Sequence, residues 1–190
     1  GDLWAGSWGA NLRRFDAGDR VWFDGQAPLA PAGASVTAVY EDRRGVLWFG
    51  TRGDGALRHD PRSGEWSRLP MRTDGTFGGD RVNGVFAGHG EQLWFTSART
   101  LGGAFNGTGI HGGGLHRFDV GSGEWITYRS ESGLGSPDTR AVVATPAGEV
   151  LAAGEFGLRR LEHDLDRWSD VGEWFDADPG YVRSMVLRAD

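Results

Sequence analysis

The chain has no cysteine and only two methionines, which excludes disulfide cross-links and thiolate chemistry without settling the compartment. It has no apolar run approaching the roughly 18 residues of a membrane-spanning helix, so no membrane insertion is expected of it. It also lacks an excess of positive charge. A net charge of −6 and a pI near 5.3 disfavour non-specific binding to nucleic acid or anionic membranes. Apolar residues never recur at helical spacing. With Gly1 first and no leader pattern, the chain reads as a processed product or an excised piece.

What is present points the other way. Thirty-three glycines, nine tryptophans and ten phenylalanines in 190 residues suit short strands, tight turns and aromatic packing between sheets. The length fits one domain with a core of its own, 1–190. Its strands repeat. A marker position is held by Val36, Val82, Arg140 and Val182, and twelve residues after the first three stand Trp48, Trp94 and Ala152. Counting from Asp190 into Gly1, the same step from Val182 reaches Trp4. Asp16, Asp60, Asp119 and Glu162 end the third strand of each unit, and six residues after each comes Trp22, Trp66, Trp125 or Trp168.

Each unit therefore reads as four antiparallel strands, A to D. Strand A covers 36–41, 82–87, 140–145 and 182–188, and strand C covers 12–16, 56–60, 115–119 and 158–162. Strand B carries Leu3-Trp4, Leu47-Trp48, Leu93-Trp94 and Leu151-Ala152, and strand D is centred on the fixed Trp. Markers lie 46 (36 to 82), 58 (82 to 140) and 42 (140 to 182) residues apart. That period, with four short strands, predicts an all-β propeller with units 36–81, 82–139, 140–181 and a blade joining 182–190 to 1–35. The C-terminal strand 182–188 is expected to complete the N-terminal blade and remove two open edges. The alternative is a segment of a larger ring.

The second unit resembles the two-component regulator propeller repeat, whose pattern runs V-x-x-V-x-x-D-x-x-G-x-L-W-x-G-T-x-x-G-G-L. Val36, Val39, Asp42, Gly45, Leu47, Trp48, Gly50, Thr51 and Gly55 match in place, with Ala56 at the last Leu. The third unit matches at Val82, Val85, Leu93, Trp94, Gly114 and Leu115. The fourth matches at Val143, Gly148, Gly154, Gly157 and Leu158. The resemblance implies the periplasmic or extracellular sensing part of a bacterial two-component receptor, often within a larger propeller. Leu93-Trp94-Phe95-Thr96 is similar to the streptogramin-lyase type of repeat, whose members include metal-dependent lyases. The Asp-x-x-Ser-Gly-x-Trp run at 60–66 and 119–125 is similar to the Asp-box of sialidase-like propellers, which is usually structural.

Blade geometry puts the short, uniform A–B and C–D turns at one end and the irregular B–C and D–A loops at the other. Those loops include 26–34, 71–81, 130–138, 174–180 and the insertion 97–114. Variation over a rigid scaffold marks where binding resides. The candidates are Trp8, Arg52, Asp54, Arg99, Phe105, Asn106, His111, Glu155 and Phe156, a mixture of aromatics and charge round a central funnel. Such a ring suits a small polar ligand such as a saccharide or peptide, or another protein.

Other patterns carry less. Gly107-Thr108-Gly109-Ile110-His111-Gly112 fits G-x-G-x-x-G but opens no helix, so no nucleotide is expected. Asn106-Gly107-Thr108 is a glycosylation acceptor only in a eukaryotic secreted protein. Asp176 and Asp178 bring too few oxygens for calcium. His59, His89, His116 and His163 lie on strands or the opposite end, and no H-E-x-x-H or G-x-S-x-G motif occurs. No cofactor, metal or catalytic residue is expected. The leading expectation is a non-catalytic sensing propeller. The alternatives are a carbohydrate-active or lyase-type enzyme, whose acid pair would be Asp54 and Glu155, and a structural or protein-interaction propeller.

Overall fold

A computed structural model describes residues 2–7, 12–25, 35–52, 55–69, 81–99, 112–136, 138–174 and 180–188. Among these residues it is all-β apart from two single 3-10 turns, Ser130–Ser132 and Gly172–Trp174. The first sheet holds β1 (Leu3–Gly6), β2 (Leu12–Asp16) and β3 (Val21–Gly25). The second holds β4 (Ser35–Glu41), β5 (Leu47–Arg52), β6 (Ala56–Asp60) and β7 (Glu65–Arg68). The third holds β8 (Val82–Ala87), β9 (Gln92–Arg99), β10 (Gly112–Asp119) and β11 (Trp125–Tyr128). The fourth holds β12 (Thr139–Ala144), β13 (Val150–Gly154), β14 (Gly157–Glu162) and β15 (Arg167–Asp170). Strand order in every sheet follows chain order, the meander of a propeller blade. Residues 182–188, expected as a fourth strand of the first sheet, carry no strand assignment, and that sheet has three strands among the described residues.

The repeated residues act through turns and close contacts. In the A–B turn of the second sheet, Asp42 Oδ1 accepts from the backbone N–H of Arg44 (2.8 Å) and Val46 (3.0 Å). Its other oxygen accepts from Trp48 Nε1 at 2.9 Å, so one carboxylate shapes the turn and fixes the buried indole. At Gly50 a Cβ would lie 2.8 Å from Val82 Cγ1, so glycine lets the first strand of the next sheet approach. Thr51 Oγ1 closes the B–C turn on the Gly55 carbonyl at 2.8 Å.

The fixed six-residue step from acid to Trp has a backbone cause. Asp16 Oδ1 accepts from Gly18 and Asp19 N–H, Asp60 Oδ1 from Arg62 N–H, and Asp119 Oδ1 from Ser122 N–H. Four residues past each acid the chain turns through positive φ, at Arg20 (57°), Gly64 (74°), Gly123 (75°) and Asp166 (49°). These bonds to backbone hold the carboxyls of Asp119 and Asp16 below the usual range. The acids belong to the scaffold.

Register corrects one sequence assignment. Trp4, Trp48 and Trp94 pair with Arg14, Arg58 and Arg117, each two residues before the fixed acid. In the fourth sheet the corresponding Arg160 pairs with Leu151, not Ala152. The marker there is Thr139, fully buried like Val82, rather than the half-buried Arg140. A one-residue slip exchanges the faces of a strand, and burial decides for Thr139. The repeated Arg is a signal that the sequence displays and the Trp pattern obscured.

The chain forms two compact units, Gly1–Val85 and Phe86–Asp190. In the first, Leu12, Val36, Leu47, Phe49 and Leu57 form the core with Trp4 and Trp66 packed on it. Trp4 of the first sheet lies edge-on to Phe49 (6.1 Å) and His59 (5.8 Å) of the second. In the second unit, Trp94 and Tyr128 of the third sheet enclose Trp168 of the fourth, with ring centroids 5.7–5.9 Å apart. Val142, Val150, Ala152 and Leu161 fill the space between. Trp4, Trp94 and Trp168 therefore pack sheet on sheet, whereas Trp22, at the same fixed offset, is half-exposed.

Candidate functional site

Of the residues expected to form the site, Arg52, Glu155 and Phe156 are described with their side chains. Arg52 ends β5, is exposed, and bridges to Arg81 across the entry to β8. Arg99 ends β9 opposite Gly112. Trp8, Asp54, Phe105, Asn106 and His111 lie outside the described residues, so the Asp54–Glu155 pairing does too.

Glu155 and Phe156 form the tight turn between β13 and β14, and there a local cluster assembles. Glu155 N–H donates to the Asp138 carbonyl (3.4 Å), and its Oε2 accepts from Ser136 Oγ (3.4 Å). Ser136 Oγ also accepts from Asp138 N–H at 3.2 Å. Asp138 Oδ2 pairs with Arg140 Nη2 at 2.8 Å. The Arg140 guanidinium lies over the Tyr181 ring at 6.0 Å, and that of Arg183 over the same ring at 5.4 Å. Val182 N–H reaches the Gly154 carbonyl at 3.1 Å, tying the segment that carries Tyr181 to this turn. A Cβ on Gly154 would lie 2.2 Å from the Asp138 carbonyl oxygen, so only glycine lets the turn close on β12.

Among the described residues, three buried polar atoms at consecutive positions have no protein partner: Asp138 Oδ1, Thr139 Oγ1 and Arg140 Nε. Together they offer an acceptor, a hydroxyl and a donor within three consecutive residues. Tyr181, beside them, is 44% exposed. Phe156 packs against the core, with the Arg159 guanidinium 5.6 Å from its ring centre. It serves as a wall of the turn. Sequence reasoning placed Glu155 and Phe156 but passed over Asp138, Arg140 and Tyr181. The signal for them was a charged pair flanking a threonine at the end of an irregular D–A loop.

A second polar set crosses the third sheet. Ser97 Oγ lies 2.8 Å from His116 Nε2, and His116 Nδ1 lies 3.1 Å from Thr127 Oγ1. The order Ser–His–Thr imitates a nucleophile relay, but Ser97 is 2% and His116 1% exposed. Burial, with Arg129 adding to it, depresses the His116 pKa to about 3, so the ring is neutral. The equivalent cross-strand pair in the fourth sheet is the Arg159–Asp170 ion pair at 2.7 Å. His116–Thr127 is the same tie made from neutral groups. Among the described residues no three His, Cys, Asp or Glu converge as metal ligands, and no helix is long and apolar enough to cross a membrane.

Comparison with known proteins identifies the repeat. Residues 31–53 match the family described as two component regulator propeller, and the chain carries that repeat. No curated protein matches the chain. Among solved structures, it is similar to the extracellular domain of a hybrid two component system from B. thetaiotaomicron, at 19% identity and a TM-score of 0.66. That match covers 94% of this chain and 22% of the other. Virginiamycin B lyase from Staphylococcus aureus is similar at 13% identity and a TM-score of 0.66, over 97% of this chain and 55% of the lyase. PorZ, a bacterial surface component of the type-IX secretion system of Porphyromonas gingivalis, matches at 19% identity and a TM-score of 0.62, over 96% and 25%. These structural likenesses establish the propeller fold alone. The chain spans 22% and 23% of two such hybrid two component extracellular domains that it is similar to.

Proposed function

We propose that this chain is part of the recognition propeller of a bacterial two-component signalling receptor, working outside the cytoplasm and without catalysis. It binds a small polar ligand, a saccharide or a peptide, at the ends carrying the B–C and D–A loops. The family of the repeat at 31–53 and the extracellular receptor domains of like fold support the signalling half of this reading. One observation carries the binding half. Among the described residues, Asp138 Oδ1 and Arg140 Nε are buried without a protein partner beside the half-exposed Tyr181 ring. An unsatisfied buried polar group costs about 1–3 kcal/mol, and a ligand with adjacent hydroxyl or amide groups offsets that cost by completing both. Tyr181 supplies the flat apolar contact that a sugar ring or peptide side chain needs.

The test is a thermal-shift panel of oligosaccharides and short peptides, repeated on Asp138→Ala and Tyr181→Ala. A panel member that binds the folded chain raises its melting temperature, by the equivalent of about 2.7 kcal/mol at a hundredfold excess over Kd. The shift is expected in the parent chain and lost in both variants. A panel that shifts nothing would support a structural or protein-interaction propeller. A shift unchanged in the variants would move the site elsewhere. Turnover of the bound member would favour the enzyme reading.

A further inference from the structure

A guanidinium laid on an aromatic ring gives up the water on that face. Its N–H donors stay free round the edge, in a fork that a carboxylate matches two at a time. The chain uses this arrangement repeatedly. Among the described residues, Arg13, Arg14, Arg117, Arg140, Arg159 and Arg160 lie 5.2–6.0 Å from the centre of an aromatic ring. Each of them also has a carboxylate oxygen 2.7–3.7 Å away. Arg183 makes the same ring contact, 5.4 Å from the centre of Tyr181, and it is exposed. No carboxylate of the described residues pairs with it. This stacked guanidinium lacks the anion that completes all the others.

Its neighbours show what that anion would meet. The Tyr181 ring also carries Arg140, whose Nη2 takes Asp138 Oδ2 at 2.8 Å. Backbone geometry aims Arg140 there. The β12–β13 pairing shifts register between Thr139 and Ala141, and a bulge of this kind turns its extra side chain out of the ladder. The second sheet has the same shift between Val36 and Ala38, where Thr37 Oγ1 donates to the Val82 carbonyl. In the fourth sheet the bulge holds an arginine, and its side chain reaches Tyr181 instead. The carboxylates of the cluster are engaged apart from Arg183: Asp138 pairs with Arg140, and Glu155 Oε2 accepts from Ser136 Oγ. We infer that the ligand carries a carboxylate, which the edge of Arg183 takes up beside Tyr181, and next to it a hydroxyl or amide N–H directed at Asp138 Oδ1. This rests on the recognition site proposed above and narrows its ligand from polar to acidic. The same chemistry occurs in a uronic-acid saccharide and in a peptide bearing Asp or Glu.

The test uses matched pairs in which only the charge differs. Uronic-acid oligosaccharides are compared with their methyl esters, and end-blocked Glu peptides with their Gln counterparts, by thermal shift of the 190-residue chain. A net charge of −6 offers anions no general attraction, so a preference for the acid reports a local site. The acid that shifts the chain is expected to bind at least about tenfold more tightly than its neutral partner, as a charge-assisted pair does. The arm in which this occurs, saccharide or peptide, identifies the source. In Arg183→Gln the two members of the pair are expected to bind within about twofold of each other. Arg183→Lys keeps the charge without the fork and is expected to hold an intermediate ratio. Neutral partners that bind as tightly as the acids, with the shift still lost in Asp138→Ala, would overturn the inference and leave the recognition site standing. An acid preference that survives in Arg183→Gln would overturn it as well. A panel in which no member shifts the chain, acid or neutral, would remove the site and the inference with it.

Discussion

In the second sheet the buried Trp48 donates to Asp42, whereas in the third the equivalent Trp94 faces Gly88 and its Nε1 has no protein partner among the described residues. A Cβ on Gly88 would lie 2.9 Å from that Nε1 and 2.8 Å from Gln92 Cβ, so the indole fills the space a carboxylate takes in the neighbouring sheet. The two sheets differ again one strand over. Thr51 closes its own turn in the second, while Ser97 reaches across to His116 in the third. Where His59 stacks on Trp66 at 4.2 Å, Phe118 packs on Trp125 at 4.5 Å. The positions of large groups are kept and the polar ties between them are exchanged. A blade is specified by shape and register, and its hydrogen bonds are local solutions to the same packing problem.

Substitutions at four positions break or sharpen this comparison. Asp42→Ala removes the acceptor of Trp48 Nε1 and two turn bonds, and is expected to cost about 3 kcal/mol in urea unfolding; Asp42→Asn is expected to recover part of it. Gly88→Asp imports the second sheet's lock into the third, and overpacking against Trp94 is expected to cost about 2 kcal/mol. Stabilisation instead would show that the two turns are interchangeable. His116→Gln tests the neutral tie through pH. The folded pKa of about 3 lies below the ordinary 6.5, so the folded state binds fewer protons in between. The contribution of His116 is therefore fully present above pH 6.5 and is lost as pH falls towards 3. The variant should show a shallower loss between those values, by at most about 1.4 kcal/mol per pH unit. His59→Phe, which copies Phe118, is expected to change stability by less than about 1 kcal/mol.

Much of the scaffold was legible because its residues sit at fixed offsets for backbone reasons. The acid-to-Trp step of six follows from a turn whose fifth residue takes positive φ, and Gly64 and Gly123 announce it. The fourth unit is displaced by one residue from the spacing in the sequence because its buried marker, Thr139, is polar and indistinct beside the charged Arg140. Position along a strand is decided by which side chain the neighbouring sheet covers, and a single letter does not carry that. The site was legible in location but not in membership. Glu155 was visible as a loop carboxylate, whereas Asp138, Arg140 and Tyr181 come together only when the β13–β14 turn closes on the entry to β12.

The account rests on a division of labour: residues kept between repeats hold the blades, and residues that differ meet the ligand. The most direct check is the ligand-induced melting shift measured side by side for Asp42→Ala and Asp138→Ala, using the panel member that stabilises the parent chain. The account predicts a lower unliganded melting temperature with the shift retained for Asp42→Ala, and a near-parent melting temperature with the shift abolished for Asp138→Ala. An abolished shift in Asp42→Ala together with a retained one in Asp138→Ala would contradict it.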